Sequence, residues 1–124
     1  MINNAISDSL INNFLGLFTD TGEVKIEETR NFLSLSKVEL ASAFGLSQDQ
    51  IREERMAAKT KERFAELATA LEYVAETFDG DKTKTSFWLN TPNPNFGGAT
   101  PKSLIIKGRY QKLLKFILAA KQGY

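Results

Sequence analysis

The sequence predicts an all-α protein, a helical bundle whose amino-terminal half contains a helix-turn-helix. Two observations carry that prediction. Apolar residues recur at three- and four-residue steps through most of the chain, and no segment shows the period-two alternation of a half-buried strand. Between Ser36 and Gln48 a capped helix, a glycine, an apolar residue and a second capping serine follow one another, the order of a helix-turn-helix.

Ile6, Leu10, Phe14 and Leu17 form one apolar stripe, so a first helix is expected there, with Ser7 as its N-cap and Asp20-Thr21-Gly22 as its stop. A second helix is expected over 27–34, with Phe32 and Leu33 inward. Ser36 and Glu39 have the spacing of a capping box and open a helix from Lys37 to Phe44. Val38, Leu40, Ala41 and Phe44 supply its apolar side, and Gly45 ends it where a left-handed backbone is usual. Leu46 then points inward, and Ser47 caps a further helix from about Gln48.

The strongest helical signal lies at 59–78. Phe64, Leu67, Ala68, Leu71, Val74, Ala75 and Phe78 share one face, while Glu62, Glu66, Glu72 and Glu76 fall mostly off it. Asp79-Gly80-Asp81 stops this helix, and a shorter one follows around Thr85 to Leu89 with Phe87, Trp88 and Leu89 inward. Residues 91–101 hold all three prolines and read as an ordered, turn-rich loop anchored by Phe96. Thr100-Pro101 has the form of a helix start, with threonine as N-cap and proline at the first helical position. A last helix is expected from Arg109 to Lys121, with Tyr110, Leu113, Leu114, Ile117 and Leu118 inward.

Composition narrows the function. The chain of 124 residues is 42% hydrophobic and 25% charged, ordinary values for a globular domain, and its net charge is only +1. The charge is unevenly placed. Residues 1–50 carry three basic and seven acidic side chains, whereas 101–124 carry Lys102, Lys107, Arg109, Lys112, Lys115 and Lys121 and no acid. One end therefore suits an acidic partner surface. Cysteine and histidine are both absent, which removes disulfides, thiolate metal sites, the commonest general base and the commonest metal ligand. There is no glycine-rich phosphate loop and no metal-ligand spacing, so an enzyme is not expected and neither a metal nor a cofactor is implied. The amino terminus does not read as a signal peptide, and no apolar run approaches the roughly 20 residues that span a bilayer. A cytoplasmic protein without membrane contact is expected.

The run Trp88-Leu89-x-Thr91-Pro92-Asn93-Pro94-x-Phe96-Gly97-Gly98-x-Thr100-Pro101 resembles the hallmark of the toxin-binding domain of MbcA/ParS/Xre-type antitoxins. In that family a short helix, a glycine and a final amphipathic helix follow. Ser103 to Lys107, Gly108 and Arg109 to Lys121 take those places here, and Gly123-Tyr124 is similar to the family's closing residues. The resemblance covers Phe87 to Tyr124. It implies a non-enzymatic antitoxin of a type II toxin–antitoxin system, encoded beside a RES-domain toxin that degrades NAD or a related ADP-ribosylating toxin. It also implies a homodimer, and a helix-turn-helix that autoregulates the operon through operator DNA. The expected organisation is an amino-terminal helical region over 1–58, with an Xre-like helix-turn-helix at about 36–55, and a central helix plus carboxy-terminal toxin-binding unit over 59–124.

Carried over residue by residue, the resemblance makes Lys121, Gln122, Gly123 and Tyr124 candidates for a tail that enters the toxin's active site. A cleft that accommodates a dinucleotide phosphate is expected to be basic. Lys112 and Lys115, with Arg109, are therefore expected to meet acidic groups on its rim, while Gly123 and Tyr124 enter by shape and stacking. Asn93 and Asn95 either touch the toxin or close turns of their own loop. Trp88 is expected in the core. The candidate DNA-binding residues are Ser47, Gln48, Gln50, Arg52 and Arg55. Asp49, Glu53 and Glu54 among them oppose phosphate, so a scaffold or dimerisation role stands beside DNA binding. The alternative for the whole chain is a helix-turn-helix transcriptional regulator without a toxin partner.

Overall fold

The computed structural model describes residues 12–52 and 56–123. Among these residues six α-helices form an all-α fold: α1 Ile26–Leu33, α2 Lys37–Ala43, α3 Ala58–Thr77, α4 Lys82–Leu89, α5 Pro101–Ile106 and α6 Tyr110–Lys121. The only β feature among the described residues is an isolated antiparallel bridge between Phe18 and Val24, closed by the turn at Asp20-Thr21-Gly22.

The long helix α3 is the centre. It packs along α6 and against α4, while α2 packs on α5 and α5 on α6. Phe64, Leu67, Ala68 and Leu71 are inaccessible to solvent, as the apolar stripe requires. Burial then extends beyond one face: every residue from Ala70 to Ala75 is buried. Near the start of α3 the Phe44 ring stacks on Phe64 at 4.0 Å and faces Tyr110 of α6 at 5.5 Å. The Arg63 guanidinium covers the Phe44 ring at 5.0 Å, and the Tyr110 hydroxyl donates to Glu66 at 2.9 Å. One hydrophobic cluster thus contains residues from Leu15 to Ile117.

Local chemistry explains most boundaries. The Ser36 hydroxyl accepts from the Glu39 N–H at 3.0 Å, and the Glu39 carboxylate accepts from the Ser36 N–H at 2.8 Å, so the capping box opens α2 as expected. Asp81 caps α4 by accepting from the Lys84 N–H, which starts that helix at Lys82 rather than near Thr85. Thr100 caps α5 with Pro101 at its first position.

Several expectations fail, each for a visible reason. Ile6, Ser7 and Leu10 lie outside the described residues, but the helix expected to reach Leu17 is not formed over 12–18. Asn13 has φ +48° and its side-chain amide pairs with both the N–H and the carbonyl of Phe18, which closes a turn instead. The segment expected to be a helix from Gln48 is a single 3-10 turn, Gln48–Ile51. The Gln50 side chain folds back to accept from the Ser47 N–H, and Arg52 is extended. Val38 is 57% exposed on α2, Phe87 is 72% exposed on α4, and Leu118 is exposed on α6. Trp88 is half-buried rather than enclosed.

Glu72 is the most consequential reversal. It is only 2% exposed, and its carboxylate accepts from the N–H of Leu15 at 3.1 Å and of Leu17 at 3.2 Å. Burial pushes its pKa up, against the backbone N–H groups that pull it down. In the opposite direction, the hydrogen bond from Arg30 lowers Glu27, and the backbone N–H of Ser36 lowers Glu39.

Two predictions follow from these contacts. Because the folded state raises Glu72, its contribution to stability is greatest below the ordinary glutamate pKa of about 4.3 and is lost as pH rises through the raised value. Glu27 and Glu39 contribute above that ordinary value and lose their contribution as pH falls through their lowered ones. Acidification from neutrality toward about pH 4.5 should therefore raise the thermal midpoint or hold it level before further acid lowers it. Glu72→Gln should remove the rising part, and a profile unchanged by that substitution would sink the assignment. Separately, Gly108 has φ +77°, and a Cβ there would lie 2.8 Å from the Ala43 carbonyl oxygen. Gly108→Ala should cost about 1–3 kcal/mol in denaturant unfolding.

Candidate functional site

The loop between α4 and α5 is built by its own backbone and docked by one ring. Asn93 organises it. Its N–H donates to the Ala99 carbonyl at 3.0 Å, its carbonyl accepts from Gly98 at 3.0 Å, and its side-chain oxygen accepts from the Asn95 N–H at 2.9 Å. Pro94–Phe96 forms a 3-10 turn, and Gly97 and Gly98 continue it with positive φ. Phe96 is buried and meets Phe116 of α6 edge-on at 5.1 Å. The loop is thereby fixed to the last helix, with the Asn93 side chain occupied in closing the turn and Asn95 exposed on its outside.

Beside this docking point α3, α4 and α6 leave a groove of about 300 Å³. Val74, Thr77, Phe78, Trp88, Phe116, Ile117, Ala120 and Lys121 line it. Trp88 is half-buried because one side of the indole forms this wall. The groove is mostly apolar, and Lys121, the one ionic residue among its described lining, is paired with Glu76 at 2.5 Å.

On the outer side of α6, Lys112 and Lys115 are exposed and among the described residues neither forms an ion pair. Leu118 continues their stripe at the next helical step, 37% exposed, and Gln122 and Gly123 are exposed beyond it. Arg109, also exposed, stands just before α6 with its N–H donated to the Leu104 carbonyl. The structure therefore brings Arg109, Lys112, Lys115, Gln122 and Gly123 onto or beside one helix and places Asn93 and Asn95 on the loop docked to it. Tyr124 lies outside the described residues. Sequence reasoning missed Leu118, taken as inward. Its only signal was position: Leu118 follows the half-buried Leu114 by four residues, at the edge of the stripe rather than in its middle.

The candidate DNA-binding residues gather elsewhere. Ser47, Gln48, Gln50 and Arg52 are exposed around the Gln48–Ile51 turn, and Arg55 is outside the described residues. An open concavity there is lined by Lys37 and Arg52 but also by Glu27 and Asp49, and Arg52 lies 3.7 Å from Asp49. Among the described residues that line the concavity, positive and negative charges are balanced. Among the described residues no group of three His, Cys, Asp or Glu is placed to hold a metal ion, and no helix is long and apolar enough to cross a membrane.

No curated protein matches the sequence. A chain of the crystal structure of the M. tuberculosis MbcT–MbcA toxin–antitoxin complex is similar in shape, with a TM-score of 0.48 at 20% identity over 80% of this chain and 93% of that one, a likeness too slight to argue from. The family model that matches is the antitoxin Xre/MbcA/ParS C-terminal toxin-binding domain, over residues 73–108. That span runs from the buried half of α3 through α4, the Trp88–Pro101 loop and α5 to the glycine before α6. Residues 73–108 are thus similar to the toxin-binding domain of the Xre/MbcA/ParS antitoxins.

Proposed function

We propose that this protein is an antitoxin that binds and neutralises a RES-domain, NAD-degrading toxin through its last helix and tail. The observation that carries the reading is the family match at 73–108, which leads directly into an acid-free basic helix. Arg109, Lys112 and Lys115 stand outward where they can meet acidic groups around the toxin's cleft, with Leu118 as an apolar spot beside them. The tail from Lys121 to Tyr124 would enter the cleft itself, as the family resemblance implies. Phe96 and Asn93 support the arrangement by fixing the loop on α6. The reading assigns no catalytic role to this chain.

Co-expression with the toxin encoded beside it is the direct test. The wild-type chain should co-purify with that toxin and suppress its NAD loss. Reversing Lys112 and Lys115 to glutamate should weaken inhibition at least tenfold and make what remains less sensitive to salt. Removing Gln122 to Tyr124 should weaken it without changing the thermal midpoint. Full inhibition by both variants would refute the placement on α6 and the tail.

Homodimerisation and autoregulation through operator DNA are a second layer of the same proposal, supported by the family resemblance. Ser47, Gln48, Gln50, Arg52 and Arg55 would carry the contact. The mixed charge around the Gln48–Ile51 turn favours DNA binding only at low salt or in the assembled toxin complex. A promoter fragment should shift at low salt and lose the shift on changing Gln48 and Arg52 to alanine. Absence of any shift, with and without toxin, would remove autoregulation and leave neutralisation standing.

A further inference from the structure

Glu76 lies one helical turn beyond Glu72 on α3 and takes partners from the two ends of the described chain. Its Oε1 accepts from Lys121 Nζ at 2.5 Å and its Oε2 from Asn12 Nδ2 at 2.9 Å. The same ammonium lies 4.5 Å from the centre of the Tyr73 ring. Lys121 is the last residue of α6, and Gln122 and Gly123 leave the helix from it. Of the basic residues assigned above to toxin contact, it is the one engaged with a carboxylate among the described residues. Lys112 and Lys115, earlier on the same helix, have no such partner among the described residues.

We propose that Glu76 is a positioning residue for the inhibitory tail: by clamping Lys121 against Tyr73 it fixes where Gln122 and Gly123 emerge, and Lys121 acts within this protein rather than on the toxin. The proposal rests on the reading of the tail given above and revises the part Lys121 plays in it.

The physical need is plain. A helix end leaves carbonyl groups without intrahelical partners and frays. A tail that must be ordered on binding subtracts that ordering from its affinity. A half-exposed ion pair alone contributes little. Here the lysine also complements the carboxy-terminal end of the helix dipole and covers an aromatic face, so three weak terms act on one ammonium. Asn12 steadies the carboxylate from its other side.

Charge exchange across the pair separates positioning from direct contact. In full-length protein titrated against the toxin's NAD-degrading activity, Glu76→Lys and Lys121→Glu should each weaken inhibition about threefold to tenfold. The double variant should recover much of the loss, though not all, because a carboxylate cannot repeat the contact with the Tyr73 ring. Hydrogen exchange of residues 118–123 in the toxin-free protein supplies a second readout. It should quicken in each single variant and in Glu76→Gln, and slow again in the double variant. If Glu76→Lys leaves inhibition intact while Lys121→Glu and the double variant are equally impaired, Lys121 touches the toxin and the proposal is overturned. Should the wild-type chain fail to bind the toxin at all, the functional reading fails, and exchange alone then decides the clamp: unchanged exchange in Glu76→Gln overturns it.

Discussion

The structure depends on burying one helix nearly all the way round. From Ala70 to Ala75 no residue of α3 faces solvent, so α3 needs neighbours on every side at that level. α6 and α4 supply two of them. The remaining side meets the irregular segment around Leu15 to Phe18, which is itself buried. Small residues at Ala68, Ala70 and Ala75 let these neighbours come close. A carboxylate caught in that ring at Glu72 is hydrogen-bonded by backbone N–H groups, and the segment that offers them cannot use the same groups for helical hydrogen bonds. All-round burial of α3 and the non-helical course of 12–18 are thus one constraint met from two sides.

That constraint also marks the limit of what the sequence discloses. Helical periodicity identifies the face that meets the largest neighbour, and Phe64, Leu67 and Leu71 were legible for that reason. It says nothing of a helix covered by a second and third element, so Glu72 read as a surface residue and Phe14 as part of a stripe. Caps were legible because their chemistry is local: Ser36 with Glu39, and Thr100 with Pro101, behave as their spacing requires. The turn at Gln48 was not. There the same serine-to-glutamine spacing closes a single turn, and only the course of the following chain decides whether a helix continues. On α2, α4 and α6 the misplaced residues, Val38, Phe87 and Leu118, are apolar side chains at stripe edges, where burial depends on whether a neighbour extends that far.

The candidate site divides along the same line. The Trp88–Pro101 run could be read because its turns are fixed by prolines, glycines and Asn93, whose roles are short-range. What it does in the fold is hold Phe96 against Phe116 and so orient α6. The outward lysines were legible as a charge imbalance. The engagement of Lys121 with Glu76 and Tyr73 was not, because those partners lie 45 and 48 positions away along the chain.

The contact between Gly108 and the Ala43 carbonyl has a consequence for how such a chain can vary. It locks the corner between α5 and α6 against α2 with no space for a methyl group. The start of α6 is therefore fixed in rotation as well as in place. A residue added between Gly108 and Tyr110 would turn everything after it by about 100°, carrying Lys112 toward the interior and bringing Leu114 to the surface. The corner acts as the phase reference of the last helix: the number of residues leading to it decides which side chains face outward.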